Sequence, residues 1–251
     1  MKIFSDPKRL RFAIPSKGRL REPTLNLLQK AGYAFRAKDR SLYASATNAD
    51  IVFIFVRPDD IPVLVASGVV DLGITGQDLV LERKTKLSEV LALGFGECRL
   101  CVAVAEESSF KKASDLDGKG VATSFPVLSE TFFQLQKTSA RLIEMNGSVE
   151  VMIGLGLAEA IVDIVETGDS LKDNQLRILA EIGSYRTSLF ASPEKISDPR
   201  IVQVRRRLEG VLIAQKWSML EYNIPRAKLA DAERIAPGFN SPTISELEDK
   251  N

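Results

Sequence analysis

The segment whose residues most clearly suggest a chemical role is AIVDIVETGDSL at residues 160–171. It is an apolar run that contains carboxylates and ends in small polar residues. Its β-branched part predicts a buried strand over residues 160–165, and its polar end predicts a turn that opens a helix, with Asp169 or Ser170 as the cap. Small residues let backbone N–H groups approach a phosphate, while carboxylates suit ribose hydroxyls or Mg²⁺. The loop therefore suggests a site for a phosphorylated ribose.

A second candidate loop, IPSKGRL at residues 14–20, joins a predicted strand to a predicted helix. Ser16 and Gly18 would allow a close backbone approach, and Lys17 and Arg19 would bring cations to an anion. The spacing does not fit a Walker A motif. A helix-entry loop with surface cations explains these residues equally well when they are considered alone.

Four further residues are candidates for contacts with a ligand. Asp71 in VDLGITG is a candidate hydrogen-bond acceptor for a ribose or base, or else a capping residue. Ser124 is a candidate phosphate or purine contact, or else a helix cap. Arg57 directly follows an apolar strand, where an arginine usually has a partner, whereas Arg40 is more typical of an exposed loop.

The composition excludes several functional classes. The 251 residues include no histidine, which rules out His-dependent hydrolysis and a Cys/His zinc site. Cys98 and Cys101 are the only cysteines, and their odd spacing along an apolar strand favours two core thiols on opposite faces over a redox pair. A net charge of +1 gives no general attraction to nucleic acid or to an anionic membrane. Without an apolar leader or membrane span, we expect a cytoplasmic protein.

Apolar strands alternate with helices, a rhythm that predicts mainly parallel sheets covered on both faces. Strands are expected over residues 9–15, 51–56, 69–74, 100–105, 120–123, 141–145 and 160–165, with one or two more over 177–191 that return to the first unit. Helices are expected over residues 21–31, 58–66, 126–138 and 199–216. The tail predicts a strand over 217–222, a helix over 225–235 and a strand over 242–244.

Five motifs occur in an order that resembles ATP phosphoribosyltransferase, the first enzyme of histidine biosynthesis: AIPSKGRL at 13–20, VDLGITG at 70–76, VATSFP at 121–126, NGSVE at 146–150 and DIVETG at 163–168. The resemblance implies an α/β, two-lobed fold of the type II periplasmic-binding-protein kind. Its lobes would comprise residues 1–97 with 182–215, and residues 98–181, followed by a partial ferredoxin-like β-α-β regulatory domain over 216–251. It also implies transfer of the phosphoribosyl group of 5-phosphoribosyl 1-pyrophosphate (PRPP) to N1 of ATP.

The resemblance assigns roles to individual residues. Those expected near the triphosphate and the departing pyrophosphate are Lys17, Arg19 and Arg40. Those expected to bind PRPP are Glu159, Asp163, Glu166, Thr167, Gly168, Asp169, Ser170 and Leu171. Those expected to bind ATP are Ser16, Gly18, Arg57, Asp71, Thr75, Gly76 and Ser124. Mg²⁺ would arrive with PRPP, with Asp163 as its candidate protein ligand.

Two features depart from the family pattern. The loop has Ser170 where threonine is usual and Asp169 where a neutral or basic residue is usual. The tail resembles only the first half of the histidine-binding domain of long-form members, and the synthetase-like partner of short-form members is not expected. We expect a homo-oligomer, a dimer or a hexamer. The alternative function is a non-catalytic solute-binding protein on the same two-lobed fold.

Overall fold

The computed structural model describes residues 6, 8–36, 41–238 and 243–245, in which contacts define two units, Met1–Ala214 and Gln215–Asn251. The strands in chain order are β1 (Leu10–Pro15), β2 (Tyr43–Ser45), β3 (Ile51–Val56), β4 (Leu72–Gly76), β5 (Ser88–Ala92), β6 (Cys98–Ala105), β7 (Gly120–Thr123), β8 (Arg141–Glu144), β9 (Ala160–Val165), β10 (Leu176–Tyr185) and β11 (Thr187–Ala191). The helices are α1 (Arg21–Lys30), α2 (Ile61–Ala66), α3 (Gln77–Glu82), α4 (Pro126–Leu135), α5 (Val151–Gly154), α6 (Asp169–Asp173), α7 (Pro199–Ala214) and α8 (Leu229–Ile235).

The first unit is built on two sheets, which confirms the two-lobed fold. The first sheet has the order β2-β3-β1-β4-β11-β5 and the second the order β10-β6-β9-β7-β8. We call the elements around each sheet the first lobe and the second lobe. The chain passes from the first sheet to the second between β5 and β6, and returns at Arg186 between β10 and β11.

The expectation of mainly parallel sheets was wrong, because both sheets are mixed. Strand β1 is parallel to β3 and β4, and β7 is parallel to β8 and β9. The pairs that include β2, β6, β10 or β11 are antiparallel. For β6, β10 and β11 the physical reason lies in the crossings, since a strand next to a passage between the lobes enters its sheet from the opposite end. Strand β2 is antiparallel because a short turn leads directly from it into β3.

Each lobe has its own apolar core. In the first lobe, Phe12 and Phe53 from the sheet pack with α1 and with Ile201, Val204 and Leu208 of α7. These three α7 residues recur at helical spacing and are buried. In the second lobe, β6 alternates: Leu100 and Val102 face one apolar cluster, and Cys101 faces the other. Cys98 and Cys101 are buried free thiols, as expected for core residues.

The second unit differs from its prediction. Residues 217–222 form no strand, and neither do the described Thr243 and Ile244 at the predicted last strand. The expected helix over 225–235 is present as a 3-10 turn at Arg226–Lys228 followed by α8. A single strand without a paired neighbour leaves its backbone groups unsatisfied, and here Met219 is 90% and Leu220 70% exposed. No helix among the described residues is long and apolar enough to cross a membrane.

Candidate functional site

The two passages between lobes border a cleft at which strands from both sheets end. A cavity of about 630 Å³ lies there, within the size range of ligand sites. Its lining comes from the ends of β4, β6, β9 and β10. The lining residues are Gln77, Glu97, Cys98, Arg99, Val165, Glu166, Ser184, Tyr185 and Arg186.

An ion pair brings the two candidate loops together across this cleft. The guanidinium of Arg19, which follows β1, lies 2.5 Å from a carboxylate oxygen of Glu166, which follows β9. The same guanidinium donates a hydrogen bond of 3.0 Å to the carbonyl of Gly96, in the passage between the lobes. Residues separated by almost 150 positions in sequence therefore meet at one place.

Buried acidic and thiol groups surround Arg19. Burial raises the pKa of Asp78 on α3, and the positive charge of Arg19 opposes that rise. Burial, reinforced by the negative charge of Asp78, raises the pKa of the Cys98 thiol to about 11. Cys98 is thus protonated and unreactive at neutral pH.

The loop after β9 is mostly exposed and begins a short helix. Gly168 has φ +89°, a left-handed conformation that side chains disfavour, and it directly precedes α6. The Thr167 hydroxyl donates a hydrogen bond of 2.8 Å to the carboxylate of Asp169, which does not cap the helix through its side chain. Ser170 is exposed, whereas Leu171 is buried in the second-lobe core. Leu171 therefore anchors the loop rather than lining it.

Asp163 lies within β9, on the same face of the sheet as Cys101. Burial raises the pKa of Asp163 to about 6, a backbone hydrogen bond from Ile164 opposes the rise, and the nearby charge of Glu150 adds to it. Mg²⁺ in phosphate-transfer sites is held by one or two carboxylates together with substrate phosphates. The Asp163 and Glu150 carboxylates fit this pattern, because a cation beside them would relieve their mutual repulsion. The described residues contain no group of three or more candidate ligands.

Several predicted ATP-binding residues share the strand ends of the first lobe. Ser16, Lys17 and Gly18 follow β1, and Lys17 and Gly18 are exposed. Arg57 follows β3, whose last residue pairs with the last residue of β1. Thr75 is buried and donates its hydroxyl proton to the carbonyl of Pro58 at 2.8 Å, so its side chain braces the strand end. Gly76 ends β4 and starts α3.

Two predicted site residues lie at the ends of their strands that point away from the candidate site. Asp71 precedes β4, five residues and roughly 17 Å before Gly76. Burial alone would raise the pKa of Asp71, but hydrogen bonds from Arg11 and Lys195 outweigh burial and hold it below the usual value. The Asp71 carboxylate therefore has partners within the chain, and its assignment to nucleotide binding stays a prediction.

Glu159 is the second such residue. It precedes β9, and its carboxylate accepts the backbone N–H of Gly120 at 2.7 Å. A six-residue strand, roughly 20 Å long, separates Glu159 from Glu166. The assignment of Glu159 to PRPP binding likewise stays a prediction. Arg40 lies outside the described residues.

Ser124 lies at the turn between β7 and α4 but does not cap the helix. Thr123 accepts the backbone N–H of Phe125 instead, and the carboxylate of Glu82 accepts those of Val127 and Leu128. Sequence reasoning missed Glu82. The available signal was that α4 starts with Phe-Pro and has no polar residue at its N-cap.

Known proteins similar to this chain point to one family. The profile of the ATP phosphoribosyltransferase family matches residues 57–210, and that of the HisG C-terminal domain matches residues 214–251. An ATP phosphoribosyltransferase of Rhodopirellula baltica is 47% identical over 98% of this chain and 83% of its own length. One from Methanopyrus kandleri is 42% identical over 94% of this chain and 83% of its own length.

Solved structures agree with this assignment. The structure of the ATP phosphoribosyl transferase (HisG:HisZ) complex from Thermotoga maritima contains a chain that is 33% identical, with a TM-score of 0.73 over 82% of this chain and 99% of that one. An arginine-binding protein from T. maritima, 14% identical with a TM-score of 0.54 over 87% of this chain and 95% of its own, shares the fold alone. Given the family profiles and these relatives, the chain belongs to the ATP phosphoribosyltransferase family, which catalyses the first step of histidine biosynthesis.

Proposed function

We propose that the loops meeting at Arg19 and Glu166 form the site at which this ATP phosphoribosyltransferase joins the phosphoribosyl group of PRPP to N1 of ATP. The observation that carries the proposal is the 2.5 Å contact between Arg19 and Glu166. The contact supports the proposal because it brings Arg19, from the loop after β1, beside Glu166, from the loop that would bind the ribose phosphate. The reaction requires this arrangement, because the leaving pyrophosphate and the 5-phosphate belong to the same molecule.

In the proposed binding mode, the second lobe receives PRPP. The 5-phosphate would meet the backbone N–H groups of residues 167–170, and Gly168 would allow the close approach. The Thr167 hydroxyl would have to exchange its bond to Asp169 for one to the phosphate. Asp163 would bind the ribose or, with Glu150, the cation that accompanies the pyrophosphate.

The first lobe would receive ATP and the leaving group. Ser16, Gly18, Arg57, Thr75 and Gly76 lie at its strand ends and are the candidates for ATP contacts, with Ser124 on the second lobe. Asp71 and Glu159 keep the roles that the resemblance implies. Lys17 and Arg19 would lie beside the pyrophosphate. Arg40 retains its proposed role from the resemblance.

The chemical step needs no histidine and no covalent intermediate. The N1 lone pair of adenine forms a bond to C1 of the ribose while the bond from C1 to the pyrophosphate oxygen breaks, and the leaving group takes that electron pair. Charge develops on the sugar and on pyrophosphate in the transition state, so the chain contributes by aligning the two substrates and by stabilising pyrophosphate through Lys17 and Arg19. Mg²⁺, when bound, neutralises phosphate charge.

Three wider features complete the proposal. The sequence predicts a division into residues 1–97 with 182–215, 98–181 and 216–251, and we propose it with the return to the first lobe moved from 182 to Arg186, because the whole of β10 belongs to the second sheet. We also propose a homo-oligomer, a dimer or hexamer, since the chain has a segment that matches the HisG C-terminal domain. A cytoplasmic location is proposed from its biosynthetic role.

The test is a direct assay of the chain with ATP, PRPP, Mg²⁺ and pyrophosphatase, which follows the absorbance of phosphoribosyl-ATP. We expect a signal that requires both substrates. A folded sample without any signal would refute the proposal and leave the solute-binding alternative. Size-exclusion chromatography with and without histidine tests the oligomer, and a monomer under both conditions would contradict it.

A further inference from the structure

A buried polar contact joins the two lobes beside the cleft. Glu82 is the last residue of α3 in the first lobe and is only 9% exposed. Its two carboxylate oxygens accept the backbone N–H groups of Val127 at 2.9 Å and Leu128 at 3.0 Å. Both amides belong to the first turn of α4 in the second lobe.

This contact completes the hydrogen bonding at the start of α4. The first N–H groups of a helix have no partner within the helix. Pro126 has no N–H, Phe125 donates to the Thr123 hydroxyl, and Ser129 already donates to the carbonyl of Phe125. The two remaining amides are those that Glu82 binds, and its negative charge also suits the positive end of the helix dipole.

Packing around Glu82 connects the same two helices. Leu79, three residues earlier on α3, packs against the second-lobe cluster that contains Phe125 and Phe133. Residues three apart lie on one face of a helix, so one face of α3 supplies both an apolar contact and a carboxylate to the second lobe. A change at Glu82 removes the charge and leaves the Leu79 contact in place.

We propose that Glu82 is a positioning residue that sets the Ser124 turn of the second lobe against the strand ends of the first. Helix α3 starts directly after Gly76, and α4 starts directly after the Ser124 turn. The carboxylate of Glu82 thus links two segments that the proposed function places around ATP, and the inference rests on that function. The PRPP loop follows β9 within the second lobe and makes no contact with Glu82 among the described hydrogen bonds.

The kinetic test compares Glu82→Ala, Glu82→Gln and the control Glu130→Ala, which changes an exposed carboxylate on α4. Glu82→Ala should lower kcat/KM for ATP by about tenfold, as expected for the loss of a helix cap at a site that must be ordered. Glu82→Gln keeps one acceptor oxygen and should recover activity to within about threefold of the parent chain. Binding of PRPP, measured by equilibrium dialysis, should change by less than about twofold in all three variants.

Two kinetic results would overturn the inference. One is a kcat/KM for ATP in Glu82→Ala that equals the value for Glu130→Ala. The other is an equal loss of PRPP binding and ATP turnover, since that would indicate general loosening of the protein.

Hydrogen exchange tests the contact without any catalysis. In the unliganded parent chain the Val127 and Leu128 amides should be protected, and in Glu82→Ala they should exchange at least about tenfold faster, while the β7 and β9 amides stay unchanged. If Glu82→Ala does not fold, Glu82→Gln carries the exchange test, because its single acceptor oxygen should leave one of the two amides to exchange at least about tenfold faster. Unchanged exchange at both amides would refute the cap even in an active enzyme. Absent transferase activity in the parent chain would instead refute the proposed function.

Discussion

Replacing Asp163 with asparagine should stabilise the folded protein at pH 8 while it weakens the proposed PRPP site. Burial raises the pKa of this carboxyl from the usual 3.8 to about 6, so the folded chain holds a group that resists ionisation. Asparagine has nearly the same shape and keeps an oxygen that can accept the 2.8 Å hydrogen bond from the Ile164 backbone N–H. It removes the charge and its repulsion from Glu150.

The size and pH dependence of this effect follow from the two pKa values. Because the folded pKa lies above the unfolded one, ionisation of Asp163 costs no stability below about pH 4, and the cost grows as the pH rises to about 6. Each tenfold change in an ionisation constant corresponds to about 1.4 kcal/mol, so the full cost at pH 8 is about 3 kcal/mol. At pH 5 roughly half of that cost applies.

Urea denaturation of the parent chain and Asp163→Asn at pH 5 and pH 8 measures this difference. Asp163→Asn should be more stable at both, by about 1.5 and about 3 kcal/mol respectively. Asp173→Asn, at an exposed position on α6, is the control and should change stability by less than about 0.5 kcal/mol. Activity of Asp163→Asn should fall about tenfold or more, since a charged hydrogen bond to substrate is lost. A less stable Asp163→Asn, or an equal gain at both pH values, would refute the reasoning.

Three other changes test separate parts of the site. Arg19→Ala should lower kcat more than it weakens ATP binding, because the charge on pyrophosphate grows in the transition state. An unchanged kcat in steady-state kinetics would contradict that role. The control is Arg21→Ala, which removes a neighbouring ion pair with Glu22. Asp169→Asn should bind PRPP several-fold more tightly in a calorimetric titration, because the exposed carboxylate lies in the proposed phosphate loop; no change would mean that Asp169 acts only on the loop itself. Gly96→Ala should cost about 2–4 kcal/mol in chemical denaturation, because its Cβ would lie 2.5 Å from Leu20 and 2.6 Å from Thr187 at φ +64°. Gly118→Ala, with a similar φ of +69° and open space around it, should cost only about 1 kcal/mol, and equal costs would argue against the steric part.

The sequence predicted most of the first unit because apolar periodicity and turn residues carry local information. Strands β7 and β9 match their predicted bounds, and α7 lies within the helix predicted over residues 199–216. The return of the chain through β10 and β11 was also expected. Strand direction was harder to predict, since pairing depends on which edge of a sheet is free rather than on local pattern.

The contact that joins the two candidate loops is made by residues that follow strands. Arg19 and Glu166 follow β1 and β9 and meet. Asp71 and Glu159 instead precede β4 and β9. The carboxyl ends of parallel strands lie together at one end of the sheet. A residue that precedes a strand therefore lies a full strand length from the carboxyl ends.

Glu82 was unpredictable for a different reason. The sequence at the start of α4 has no polar residue that could cap the helix. No local pattern, however, indicates which distant residue accepts the free backbone N–H groups. That identity depends on how α3 and α4 pack across the two lobes, which is information about tertiary structure.

The position at which ribose becomes attached to ATP tests the central claim most directly. ATP labelled with ¹⁵N at N1 and PRPP labelled with ¹³C at C1 can be incubated with the chain and Mg²⁺, and the product examined by NMR. We predict a product with a one-bond coupling between the two labels, and release of one pyrophosphate for each product molecule. Arg19→Ala should form this product far more slowly. A product without that coupling, or hydrolysis of PRPP to ribose 5-phosphate alone, would contradict the proposed site and mechanism.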